Sequence, residues 1–144
     1  MSGFIFAIIA GSAMSIQGVM NTQLGEKIGV YGSNAIVQAT AFLLSIIAVW
    51  LLGKGDFKAV QSVNKLYLLG GVLGIIITLT VMLSIGKLSP TVAISVILIS
   101  QLTVAALIDA FGLMGSEQIP FTWNKYIGFL LMTGGMLLFK WNVK

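Results

Sequence analysis

The stretch Ile94–Leu113, ISVILISQLTVAALIDAFGL, decides the class of this chain. It is apolar almost throughout, and about 20 such residues in a helix cross the hydrocarbon core of a bilayer. Two residues interrupt it, Gln101 at its middle and Asp109 near its far end. Asp109 is the only acidic residue inside any long apolar run of the sequence. A carboxylate at a bilayer centre costs roughly 2.5–3.5 kcal/mol on insertion scales, so such groups usually face a bundle interior or a water-filled cavity. The stretch is therefore the first candidate for a functional site. A second reading stands beside it. Pro90 opens the run, which places Asp109 about 28 Å further along a helix rising about 1.5 Å per residue. That is close to the opposite membrane surface, where an Asp can be merely hydrated or capping a neighbour.

Composition carries the same message outward to the whole chain. Of 144 residues, 58% are hydrophobic and only 8% charged, and the mean hydropathy is +1.04. Too little polar surface remains to cover a soluble globule. The chain has no Cys and no His, which excludes disulfide frameworks, thiolate metal sites and imidazole acid–base chemistry. Its net charge of +4 comes entirely from lysine. In so apolar a protein these lysines read as juxtamembrane anchors and not as a nucleic-acid footprint. The expectation is an all-α integral membrane protein with lipid around it and no cofactor or metal.

Five spanning helices are predicted, at about 3–24, 34–52, 66–85, 90–112 and 123–140, forming one domain over 1–144. The first lacks the basic start and small-residue cleavage site of a signal peptide and reads as a retained span. Its Gly3, Ala7, Gly11, Ser15 and Gly18 form a stripe that permits close helix approach. Gln17 and Asn21, four apart, put two amides on one face. Asn34 and Gln38 do the same at the start of the second helix, so four amides gather in one half of the bilayer. Amides facing lipid leave donors and acceptors unpaired, so this face is expected to meet protein or water. Interhelical hydrogen bonds and ligand contact both satisfy that requirement.

The connector 24–33, rich in Gly, reads as a loop, and 53–65 as a short interfacial element. Gly70 and Gly74 make a GxxxG that extends to Thr78, a weak packing signal. Ser89-Pro90 caps the fourth helix, with Pro at a position where its missing N–H is least costly. Trp123, Tyr126 and Trp141 form an aromatic girdle about the fifth helix, with Lys140 and Lys144 free to snorkel. No catalytic constellation is present: no carboxylate pair within a segment, no G-x-S-x-G, no phosphate loop followed by Lys and no metal-ligand spacing. An enzyme is not expected.

SQLTVAALIDAFGLMG, QGVMNTQLGEKIG, LGGVLG at 69–74 and Lys125-x-x-Gly128 followed by Gly134 or Gly135 occur in the order of four motifs of a known family. The chain resembles the YdcZ-like family (domain of unknown function 606) of the drug/metabolite transporter superfamily, along practically its whole length. The resemblance implies a five-helix multi-pass protein of the bacterial inner (plasma) membrane. It also implies an exporter related to the small multidrug resistance proteins, and half of a ten-helix inverted-repeat transporter. The sequence departs from the family at Ala110, where a His usually follows the Asp, and at Lys125, where Arg is usual. It also lacks the glutamate that small multidrug resistance proteins carry in their first helix. Gln17 and Met14 occupy that depth, so cationic-drug/proton antiport does not carry over.

The reading adopted is a small-solute transporter subunit working as a dimer by alternating access. Gln17, Asn21, Gln38 and Gln101 are the candidate substrate-binding residues, and Asp109 the candidate coupling charge. A passive dual-topology channel and a non-transporting structural subunit are the alternatives. Orientation rests on lysines, which govern it through an excess in short cytoplasmic loops. With five spans, Lys54, Lys58, Lys65 and Lys125 lie on one side and Lys27, Lys87, Lys140 and Lys144 on the other. The tie predicts dual topology. The expected partner is therefore a second copy in an antiparallel homodimer, or a paralogous subunit.

Overall fold

The computed structural model describes residues 2–53 and 55–141. Lys54 and Lys144, two of the eight lysines in the orientation tally, lie outside the described residues. Five long α-helices are present: α1 (Ser2–Ile28), α2 (Val30–Leu52), α3 (Gly70–Lys87), α4 (Pro90–Phe111) and α5 (Trp123–Trp141). No strand occurs among the described residues. Among the described residues, four helical spans are long and apolar enough to cross a membrane: Ser2–Ile28, Val30–Leu52, Lys65–Lys87 and Pro90–Phe111. Helix α5 is 19 residues long. Its ends carry Asn124, Lys125 and Lys140, which dilute its hydropathy below that of the other four.

The chain divides into two compact units, Met1–Ser84 and Ile85–Lys144. In the first, α1 and α2 form a tight helical hairpin. The loop expected over 24–33 is absent: α1 continues to Ile28, and Gly29 alone separates it from α2. Two physical facts account for this correction. Glu26 and Lys27 are good helix formers, and Lys27 in the last turn complements the helix dipole. Gly25, which reads in the sequence as part of the loop, lies instead inside the helix and is buried against its neighbours. A Cβ there would lie 3.6 Å from Val30 Cα, 3.7 Å from Met82 Sδ and 3.8 Å from Ser33 Cβ. Gly29 stops the helix because its φ of 85° and ψ of 149° belong to a region essentially reserved for glycine.

The connector after α2 holds two 3₁₀ turns, Phe57–Ser62 and Lys65–Leu69. Asp56 and Asn64 begin them, accepting from the Lys58 and Leu66 backbone N–H groups at 2.9 and 3.0 Å. The second turn runs directly into α3, so the α-helix proper starts at Gly70, later than expected from the sequence. Met82 on α3 is buried against Gly25. Gly74 faces Gln38 of α2, whose Nε2 would lie 3.8 Å from a Cβ built there. Its GxxxG partner Gly70 meets open space, as do Gly3 and Gly11 of the α1 stripe.

In the second unit, α4 begins with Pro90 in its first turn, and Ser89 Oγ accepts from the Val92 N–H at 3.4 Å. Helix α4 ends on Gly112, whose left-handed conformation (φ 60°) turns its N–H back to the Ile108 carbonyl. The following segment folds over that end. The Ile119 N–H reaches the Asp109 carbonyl at 2.8 Å, and Gln118 Nε2 donates to the Ala110 carbonyl at 2.9 Å. The chain is thus returned beside α4, and α5 packs along it.

Candidate functional site

Hydroxyls and amides behave differently in these apolar helices. Ser15, Thr40, Ser45, Thr78, Thr80, Ser95, Ser100, Thr103 and Thr133 each donate to the carbonyl four residues back in their own helix. Such back-bonding satisfies a hydroxyl inside a membrane without any partner helix. The amides are not so satisfied. Among the described residues, the side chains of Gln17, Asn21, Asn34, Gln38 and Gln101 make no hydrogen bond. With Asp109, they are among the polar groups that the helices do not themselves neutralise.

In the first unit these groups sit on the α1–α2–α3 faces. Gln17 and Asn21 line one small cavity of about 40 Å³ with Met14, Gly18, Ile77 and Thr78. Asn21, Thr22, Ser33 and Asn34 are the buried polar residues. Thr22 is closed onto the Gly18 carbonyl at 2.8 Å, and Ser33 donates across the hairpin to the Asn21 carbonyl at 3.0 Å. The Asn34 Oδ1 is buried without a partner among the described residues. Gln38, half-buried, faces Gly74 and does not line the Gln17–Asn21 cavity. Of these amides, exposed Gln17 and buried Asn21 thus share a cavity, while Asn34 and Gln38 lie elsewhere on α2.

In the second unit, Asp109 is half-buried and lines a groove of about 250 Å³ between α4 and α5. Lys125, Phe121, Phe129, Leu102 and Met132 contribute to the same groove. Gln101, exposed two turns earlier on α4, is not part of its lining. Lys125 was not among the site residues read from the sequence. Its signal is that a lysine opens an apolar helix, one turn after the loop that returns toward the only intramembrane acid. Lys125 Nζ stands 5.8 Å from the centre of the Phe121 ring. Phe121 in turn packs edge-on against Tyr126, 4.5 Å between centroids.

The helix dipoles oppose both charges. Asp109 lies in the last turn of α4, where the peptide dipoles already place negative charge, and Lys125 in the first turn of α5, where they place positive charge. Each placement is unfavourable by about 0.3–1 kcal/mol. The Phe121 ring face offsets part of this for Lys125, at about 0.5–1 kcal/mol for an exposed cation.

Long apolar helices define a multi-pass membrane protein, and the family match places it in the inner membrane. The chain belongs to the family described as "Putative inner membrane exporter, YdcZ", whose family model matches residues 2–138. The resemblance read from the four sequence motifs is thereby shown, and with it membrane transport as the chain's field of activity. No curated protein and no solved structure matches the chain.

Proposed function

We propose that this chain is one subunit of a small-solute exporter that works as a dimer by alternating access. All five long helices span the bilayer, and two copies inserted in opposite senses rebuild the ten-helix inverted-repeat arrangement. Gln17, Asn21, Gln38 and Gln101 supply hydrogen bonds along the pathway, and Asp109 supplies the coupling charge. The observation that supports this reading is the division between hydroxyls and amides. Most of the helix hydroxyls, Thr78 and Thr103 among them, bond to the backbone of their own helix, and Ser33 bonds to the neighbouring helix, whereas these amides make no side-chain hydrogen bond among the described residues. Groups of that kind at membrane depth suit a hydrated solute path.

The test is transport by purified protein in liposomes, with solutes chosen by a ligand-stabilisation screen. Saturating flux that depends on Asp109 supports the exporter. Flux that never saturates and needs no exchange partner replaces it with a passive channel. No flux of any stabilising solute, with the chain alone or with a paralogue, leaves a structural subunit.

A further inference from the structure

We propose that the α4–α5 groove binds a small zwitterion, its ammonium on Asp109 and its oxyanion on Lys125, with the apolar part against Phe121 and Phe129. This goes beyond the transport reading and does not depend on it.

Asp109 and Lys125 line one groove, yet no ion pair joins them among the described residues. Both sit at helix ends of their own sign, so each gains from a complementary charge that its own helix does not supply. A lone anion entering the groove meets repulsion from Asp109, and a lone cation meets it from Lys125. A molecule carrying both charges is opposed by neither and satisfies both. The rest of the wall is apolar, with Phe121, Phe129, Leu102 and Met132 around the charges. At about 250 Å³ the groove is smaller than the roughly 300–1,000 Å³ typical of drug-sized ligands, which suits a lipid headgroup or a small free solute.

Two sources share this chemistry. The groove lies next to Trp123 and Tyr126, whose rings stand 5.8 Å apart at the start of α5. Such aromatic belts mark the headgroup level of a bilayer. An ethanolamine phospholipid offers an ammonium and a phosphodiester at that level. A free apolar amino acid offers an ammonium and a carboxylate.

The experiment is thermal unfolding of the purified full chain in an uncharged maltoside detergent. Four probes are compared: dihexanoyl phosphatidylethanolamine, L-leucine, isoamylamine and 4-methylpentanoate. The expected result is a saturable rise in unfolding temperature with at least one zwitterion and none with the single-charge compounds. A response to the lipid alone assigns the headgroup, and a response to leucine assigns the free solute. Asp109→Asn and Lys125→Gln should each weaken binding by about tenfold or more, the loss expected for one charge-assisted hydrogen bond. The double variant Asp109→Lys, Lys125→Asp should retain binding, because a zwitterion can turn round. No shift with either zwitterion, or an equal shift with a single-charge compound, overturns the proposal. The wild-type comparison decides the matter even where a variant does not fold.

Discussion

The Ser33 hydroxyl, on a fully buried side chain of α2, donates to the Asn21 carbonyl of α1 at 3.0 Å. It is a direct side-chain bond across the α1–α2 hairpin, and it fixes the register at which the two helices meet. Asn21 thereby has its backbone engaged in packing while its amide faces the Gln17 cavity. Ser33→Ala should lower stability by about 0.6 kcal/mol, the measured average for interhelical hydrogen bonds in a membrane protein, and by no more than about 1.7 kcal/mol, the measured maximum. Ser33→Val should cost more, about 1–3 kcal/mol, because no space is left for added methyls. Denaturant unfolding in mixed micelles measures both.

Gly29 supplies the hairpin's single-residue turn. A Cβ there would meet nothing within 4 Å, so any penalty comes from the backbone alone. Gly29→Ala should destabilise by about 1–3 kcal/mol, the range for residues forced into sparsely populated conformations. Gly29→Asn should cost no less, because Asn tolerates the left-handed helical region and not this extended one. A Gly29→Ala protein as stable as the parent would show that the turn has another conformation.

Gly3 and Gly11 make the opposite case. They lie in regular helix and face open space, so alanine there should be neutral or slightly stabilising to the single chain. If the stripe Gly3–Ala7–Gly11 is where a second copy approaches, Gly11→Leu will leave the monomer folded and abolish the dimer. Crosslinking in membranes, with folded yield as the control, separates these effects. A dimer that survives Gly11→Leu moves the interface elsewhere.

Gln101 and Asp109 are eight residues apart, so they point about 80° from one another on a helix of 3.6 residues per turn. The groove takes Asp109 and not Gln101, which agrees with that divergence. Gln101→Ala and Asp109→Asn should impair transport while folded yield stays nearly unchanged. Variants that transport normally, or that both fail to fold, would assign the two residues to structure.

Topology turns on α5. Should it span, Lys140 and Lys144 oppose Lys54, Lys58, Lys65 and Lys125, and the lysines divide four against four. Should it lie on the surface, Lys125, Lys140 and Lys144 join Lys54, Lys58 and Lys65, leaving only Lys27 and Lys87 opposite. The second arrangement forces one orientation by the lysine excess. Helix α5 is 19 residues and about 28 Å long, close to the roughly 30 Å of hydrocarbon, and has Trp123 and Trp141 at its ends. Reporter fusions at the C-terminus should therefore show both cytoplasmic and external populations. Adding two or three lysines on one side should bias the ratio. A single orientation in cells would exclude the antiparallel homodimer, and a parallel dimer beside it would exclude the antiparallel arrangement altogether.

The membrane class, the helices and the Ser89-Pro90 start of α4 were legible in the sequence because each rests on local chemistry. A run of apolar residues of bilayer length has no other stable setting, and a proline after a capping serine acts within one turn. Four motifs in order along the chain, that around Gln101 and Asp109 among them, also pointed to its family. Gly25 and Gly29 show where local reading stops. Both are glycines in one short segment, yet one lies within α1, packed against Val30, Ser33 and Met82, and the other alone makes the turn. That difference depends on residues distant in sequence. The groove is a tertiary product in the same way. Asp109 and Lys125 are 16 residues apart, and they share a wall only because Gly112 reverses the chain and the Ile119 N–H bonds to the Asp109 carbonyl. Hydrophobicity and helix propensity are summed along the chain and can be read from it. Which polar group is left without a partner, and what it faces, depends on how the helices return upon one another.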